Sequence, residues 1–493
     1  MQQPLIEINN WSRGASLDKN FAGEGQFRIG EGIDFWSRAP MVTNFPSHAN
    51  LTLSGQSDLG VKLLSIKRAT KDGNVYFGGD DATLYMQNST GTIISVNPSG
   101  QTGGIDCLAD YNDLLIYFQN TTAGNSDLAG TPTYTDNWQA GLTAQTDRQA
   151  HISGFNNILY FTNVGTIGSY DGTTWSNNAL DLQADWVAVD IEDFGIDYLA
   201  IAANDNSSGD GISKVFLWDR YFTSWQDEII VPENKIQAIK FIAGYLYIWA
   251  GESANIYVCP IGSRRPTLLK KFERADPTAD SFTVHPNSVE FNDGRIYFGL
   301  STVDAASDDE TPPGIYSINA DPTNFNIALM YDEGSNSATA PQGMNVRAVE
   351  YCNFAGGALY FAHDFNDASA VANENLHIFK TYISSSSIYS GNSYIETNDI
   401  LAPAGKKFVF EGFGLDFLDV ASGGDFNLWY STDGGTSYTA LPITVSTGDT
   451  TKYVRHTVKT DRIMFKIFID SGDAKKAYLR RLFTTGKLAE DER

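Results

Sequence analysis

The chain has 493 residues, 42% hydrophobic and 13% aromatic, with only 19% charged, so it is long enough for a large core and is not a disordered acidic polymer. Its 59 acids against 34 bases leave a net charge of −25, which repels nucleic acid and anionic membrane. No Lys/Arg-rich stripe and no run of about 18 apolar residues occurs, which excludes direct sequence-specific nucleic-acid binding and insertion of a spanning helix.

The opening Met1-Gln2-Gln3-Pro4 has no basic or apolar leader region, so no signal peptide is expected. Cys107, Cys259 and Cys352 are odd in number and far apart, which suits buried, reduced thiols in a protein made in a cytoplasm. The sequons at Asn50, Asn88, Asn120 and Asn206 are then ordinary loop asparagines. Residues 1–60 form an N-terminal arm with a strand around Leu5, Ile6 and Ile8, part of it expected to close the structure that follows.

From residue 61 to 388 one figure recurs: a turn of Gly, Asn or Asp, then an alternating apolar strand carrying a tyrosine. The tyrosines are Tyr76, Tyr117, Tyr160, Tyr198, Tyr247, Tyr297 and Tyr360, spaced by 41, 43, 38, 49, 50 and 63 residues. A period of roughly 40–50 residues is one four-stranded β-propeller blade. The expected fold is all-β, a propeller of about seven blades with each figure in an inner or second strand. Asp293-Gly294 between apolar runs is a type I′ hairpin turn. A second aromatic strand follows each figure, at Tyr85, Tyr170, Phe216 to Trp218, Tyr257, Tyr316 and Phe379, with Tyr134 the weaker counterpart in the second blade. The insertions at 204–210 and 305–313 read as polar loop tips on one rim.

The pattern stops after Phe379, and residues 389–493 carry strands at 406–413, 426–430, 453–458 and 462–469, expected to form a separate C-terminal β-sandwich. Ser431-Thr432-Asp433-Gly434-Gly435-Thr436-Ser437-Tyr438 matches the Asp-box pattern, with Asp433 capping its hairpin, Gly435 in the turn and Tyr438 beneath it; Ser169 to Trp175 is a shortened relative. This is a structural turn and not a catalytic site.

No catalytic set emerges. Acid pairs such as Asp190 with Glu192, or Asp308 with Glu310, are of the kind a glycosidase needs, but none sits with an Arg cluster that would grip an acidic sugar. The histidines His48, His151, His285, His363, His377 and His456 lack paired metal spacing, and the acidic stretches 205–210, 364–367 and 470–473 lack calcium-loop spacing, so no metal and no cofactor is assigned. The remaining binding candidates are the aromatic hairpin with Trp218, Arg220, Tyr221 and Trp225, and the basic C-terminal region with Arg480 and Arg481. For the hairpin, packing between blades is the plainer alternative. Lys452, Arg455, Lys459, Arg462, Lys466, Lys475 and Lys476 add to that basic region, which is expected to dock on an acidic face.

Two strings carry a family resemblance. Ile6-Glu7-Ile8-Asn9-Asn10-Trp11-Ser12-Arg13-Gly14-Ala15, followed by 27–35, looks like the start of a group of tailed-phage virion proteins. Residues 428–435, 462–467 and 480–483 are similar to the β-domain that closes tail-nozzle or tail-stabilisation proteins, although this chain is shorter than typical nozzle proteins. The resemblance implies a non-enzymatic structural component of the tail or of its junction with the capsid. It also implies a virion location, assembly in a host cytoplasm, other tail or portal-adaptor proteins as partners, and a homo-oligomeric ring. An acidic surface would suit a conduit through which DNA slides without sticking. The alternative is a carbohydrate-binding or glycan-hydrolysing propeller used in host adsorption, whose partner is a host-surface glycan.

Overall fold

In the computed structural model the chain is all-β, with two short 3-10 turns, Pro286–Ser288 and Pro322–Asn324, and no α-helix among the described residues. The structure describes residues 4–17, 26–35, 41, 43–44, 48–51, 61–87, 93–97, 103–129, 132–183, 185–206, 211–272, 281–302, 311–331, 344–352, 358–365, 377–382, 393–418, 420, 424–470 and 478–490.

Four-stranded antiparallel meanders dominate. Sheet I comprises Leu63–Arg68, Val75–Gly79, Leu84–Gln87 and Ile93–Asn97; sheet II comprises Cys107–Tyr111, Leu114–Phe118, Thr122–Ser126 and Tyr134–Ala140. Sheet III comprises Ala150–Ile152, Leu159–Asn163, Thr166–Tyr170 and Trp175–Asp181; sheet IV comprises Trp186–Phe194, Tyr198–Asp205, Ser213–Trp218 and Asp227–Val231. Sheet V comprises Ile236–Ile242, Tyr245–Ala250, Asn255–Pro260 and Thr267–Lys270; sheet VI comprises Val289–Asn292, Arg295–Thr302, Gly314–Asn319 and Ile327–Tyr331. Sheet VII comprises Met344–Cys352, Ala358–Phe365 and His377–Tyr382, and its fourth strand, His48–Leu51, comes from the N-terminal arm.

A hydrophobic core lies between each successive pair of sheets, the one between sheets V and VI continuing into the C-terminal strands, and the last lies between sheets VII and I. The second strands are buried on both faces, so their alternating residues serve opposite neighbours. Tyr76 packs toward sheet II, while Val75 and Phe77 pack toward sheet VII. Tyr160, Tyr247, Tyr297 and Tyr360 likewise face the next sheet in the ring. Two of these hydroxyls cross the gap: Tyr247 donates to the Ala320 carbonyl at 2.5 Å, and Tyr360 donates to Gln87 Oε1 at 2.7 Å. Each fully buried aliphatic or aromatic side chain in such a core stabilises by about 1.5–3 kcal/mol.

All seven figure tyrosines lie in second strands, but two differ in register. In sheet II, Tyr117 packs back toward sheet I, because there the tyrosine is one position out of phase and a one-residue slip reverses every face. In sheet IV, Tyr198 only begins its strand. Tyr134 is not in a third strand as expected; it opens the fourth strand of sheet II. The third strand, Thr122–Ser126, has no aromatic because the Tyr117 ring lies against Gly124, where an added Cβ would be 2.2 Å from it. Asp293 and Gly294 have φ of 48° and 77°, the two positive values of a type I′ turn, and Ala243-Gly244 repeats them.

The C-terminal residues take part in one further sheet and in a continuation of sheet VI. The first has the order Ile6–Ile8, Leu479–Glu490, Lys406–Phe417, Thr451–Thr460. The second joins Ile29–Glu31, Ser393–Glu396, Arg462–Asp470, Asp425–Ser431 and Thr439–Ala440. Their inward side chains, including Phe410, Phe413, Phe426 and Phe465, share a core with sheets V and VI. The expectation of a separate unit confined to 389–493 is therefore corrected. Ile6–Ile8 supplies an edge strand, and Ile29–Glu31 pairs on one side with Ser393–Glu396 and on the other with Ile327–Tyr331 of sheet VI. Ile6–Ile8 and Ile29–Glu31 thus staple the C-terminal strands, while His48–Leu51 completes sheet VII.

Candidate functional site

The forward-facing register fixes what lines the axis of the ring. Opposite each forward-facing tyrosine, the first strand of the sheet carries an ionisable side chain: Lys67 pairs with Tyr76, His151 with Tyr160, Lys240 with Tyr247, Glu290 with Tyr297 and Glu350 with Tyr360. Glu192, opposite Ala200, takes this place in sheet IV, and Ala109, opposite Ile116, takes it in sheet II. These strands surround an axial cavity of about 280 Å³.

The charges along this girdle pair between neighbouring sheets. Lys67 Nζ is 3.0 Å from Glu350 Oε1, and Lys240 Nζ is 2.8 Å from Glu192 Oε1. His151 lies 3.7 Å from Glu192 and 3.3 Å from Asp193. Glu290 stands between the Lys240 and Glu350 positions with no ion-pair partner within 4 Å among the described residues. Burial, then the Glu350 charge, push the Glu290 carboxyl up to about 7. Burial does the same to Asp190, up to about 7, even though it accepts from the Ile239 amide at 2.8 Å and so ties sheet IV to sheet V. The Glu350 charge raises the Lys67 ammonium; for Lys240, burial pulls down but Glu192 and Glu290 outweigh it.

The axis is crossed above the girdle by the Pro286–Ser288 turn. Asn287 Nδ2 donates to the carbonyls of Leu64 at 3.0 Å and Asp106 at 2.6 Å, reaching from sheet VI to sheets I and II. Beyond it lies a second cavity of about 530 Å³, bordered by Gln145, Asp147, Lys235, Ile236 and His285. His285 is 3.2 Å from an Arg347 amine nitrogen, and burial together with that guanidinium lowers it to about 4, so it is neutral. Arg347 also sits 3.8 Å from the buried Asp364 carboxylate, which Lys62 approaches to 3.5 Å.

The aromatic hairpin divides into two parts. Trp218 is buried, with its indole nitrogen donating to the Phe222 carbonyl at 2.6 Å, and Trp225 packs on Phe216 at 4.7 Å. Arg220 is also inside: its guanidinium lies 4.7 Å over the Phe155 ring, 3.4 Å from Asp193, and donates to the Ile196 carbonyl at 2.6 Å. Only Tyr221 of the four residues is an exposed anchor, 74% accessible, and Phe222 beside it is 65% accessible. Sequence reasoning missed the residues that join them. Phe155 (48% accessible) meets Tyr221 edge-on at 6.4 Å, Ile196 is 73% accessible, and Ile261 (52% accessible) rests on Gly195. The only sequence signal was an apolar residue within a polar turn, in three different sheets.

Among the basic residues, Arg481 is a staple, 2.6 Å from Asp416 and 3.1 Å from Glu7, and Arg462 pairs with Asp399. Lys452 pairs with Asp449 at 2.8 Å, and Lys466 lies 3.9 Å over the Tyr394 ring. Arg455, Lys459 and Arg480 are exposed. Asp433 accepts from Ser431 Oγ at 2.6 Å and from the Ser437 amide at 3.0 Å, bonds from Ser431 and Ser437 that hold its carboxyl far below the usual range. Gly435 has a φ of 87°, and the Tyr438 hydroxyl lies under it. Asp190 and Glu192 both border the axial cavity. Asp308, Glu310, the loop at 207–210, residues 366–367 and 471–473, Lys475 and Lys476 lie outside the described residues. Cys107, Cys259 and Cys352 are buried and unpaired.

No family model and no curated protein matches the chain. Among solved structures, the chain is similar to the computationally designed Ika8 protein, with 13% identity, a TM-score of 0.39, and coverage of 66% of this chain and 98% of that one. It is also similar to the WD40 domain of Neurospora crassa Pan2, with 8% identity, a TM-score of 0.44, and coverage of 69% of this chain and 98% of that one.

Proposed function

We propose that this chain is a non-enzymatic structural component of a tailed-phage particle, of the tail or its junction with the capsid, built as a seven-bladed β-propeller with a C-terminal β-sandwich. The cyclic order of the cores from sheet I to sheet VII and back supports the propeller, and the two facing sheets around Phe410, Phe413 and Phe426 support the sandwich. The observation that carries the functional reading is the meeting of the two resembling strings. Ile6–Ile8 pairs with Leu482 to Thr484, and Ile29–Glu31 pairs with Ser393–Glu396, which in turn pairs with Arg462–Asp470. Strings from opposite ends of the chain thus form one paired unit, which supports reading them together. The chain's own axis is crossed by Asn287, so any passage for DNA would run through a ring of copies and not through one propeller.

The reading is tested by immunogold labelling of purified particles with an antibody to this chain, alongside a glycan array. Label at the tail or tail–capsid junction with no glycan retained supports it. Specific glycan binding or turnover, with no label on the particle, favours the adsorption alternative.

A further inference from the structure

The turns between first and second strands and those between third and fourth strands fall on one side of the ring, because neighbouring strands run antiparallel. Phe155, Ile196, Tyr221, Phe222 and Ile261 all belong to such turns, in sheets III, IV and V, and are each between 48% and 74% accessible. Phe155 meets Tyr221 edge-on, Arg220 lies over Phe155 and donates to the Ile196 carbonyl, and Ile261 lies against Gly195, so these turns are neighbours across the three sheets. Contiguous exposed aromatics on a rigid scaffold mark contact surfaces. Acids occur on turns of the same side: Asp113, Asp171 and Asp197 are exposed, and Asp219 caps the Tyr221 turn. In the turns of sheets III to V, Arg264 is held by Asp227, which leaves Arg265 as the exposed base among the described residues.

The opposite character occurs elsewhere on the same chain. Thr451–Thr460 is an edge strand, paired only with Lys406–Phe417 among the described strands. Its outward residues include Tyr453, 44% accessible and stacked on Phe483 at 6.3 Å, with exposed Arg455 and Lys459 alongside. An aromatic centre flanked by bases complements an aromatic centre flanked by acids. Two copies of the acidic area facing each other would instead set like charges together.

We propose that the apolar face of blades three to five docks the basic edge of the C-terminal sandwich, around Tyr453, Arg455 and Lys459, of a second copy of this chain. The contact is head-to-tail, so a pair of copies retains one free surface of each kind and can add further copies. It deepens the assembly reading above by naming the surfaces, but it is tested on the purified chain alone, so its failure leaves the location on the particle undecided.

The experiment is native mass spectrometry and light scattering on the full chain from about 0.01 M to about 1 M salt. Association that weakens with salt is expected. The double variant Tyr221→Ser/Phe222→Ser and the double variant Arg455→Glu/Lys459→Glu should each raise the dissociation constant by about tenfold or more. Mixing the two variants should restore a one-to-one complex, since each supplies the surface the other lacks. Melting curves check folding, and Ile196→Thr serves as a second variant if the first does not fold. A monomer at every salt concentration, association untouched by either double variant, or failure of the mixture to associate would overturn the proposal.

Discussion

At the residue scale, the axial girdle is the most constrained feature. Glu290 has a carboxyl raised to about 7 from an ordinary 4.5 by burial and Glu350. A native state that holds the proton more tightly than the unfolded chain loses stability as pH rises from about 4.5 through about 7, at roughly 1.4 kcal/mol for each pH unit crossed. Glu290→Gln should therefore raise the melting temperature at about pH 8 and leave it unchanged near pH 4; equal effects at both would show that Glu290 carries no raised pKa. Arg220 joins Phe155, Asp193 and Ile196 from within the fold. Arg220→Ala should cost about 1–3 kcal/mol in denaturant unfolding, because Asp193 and the Ile196 carbonyl lose a charged donor. A change below about 0.5 kcal/mol would mean the guanidinium only decorates the surface.

At the element scale, the tyrosine figure was legible because the second strand is buried on both faces and its turn residues are explicit. The facing of each tyrosine was not legible. Sheet II differs from its neighbours by one position, which period and composition do not register but which reverses the faces. The girdle was hidden for the same reason: Lys67, Glu290 and Glu350 read as isolated charges until the pairing with Tyr76, Tyr297 and Tyr360 places them together. Gly124 illustrates the packing that follows. Gly124→Ala would push a Cβ into the Tyr117 ring and should lower stability by about 1–3 kcal/mol. Wild-type stability in that variant would show that the ring moves aside freely. At the closing core, Tyr360→Phe removes the bond to Gln87 and should cost about 0.5–1.5 kcal/mol.

At the scale of the whole molecule, the change of sequence pattern near residue 389 falls within one packed core. Pairings such as Ile6 with Thr484 and Leu329 with Glu31 join segments too distant in sequence for local pattern to reveal. The same distance hid the apolar face, whose residues come from separate turns. Because the C-terminal sheets share a core with sheets V and VI, calorimetry should show one main transition, and Phe413→Ala should lower it for both regions together. Two well-separated transitions, with only the later residues affected, would restore the independent sandwich.

A density map of tailed particles purified from cells that produce this chain asks whether it is a structural part of the particle. Several copies are expected at the tail or tail–capsid junction, each a ring of seven sheets bearing the two-sheet C-terminal unit. Particles that are complete and infectious with no density for the chain would contradict it.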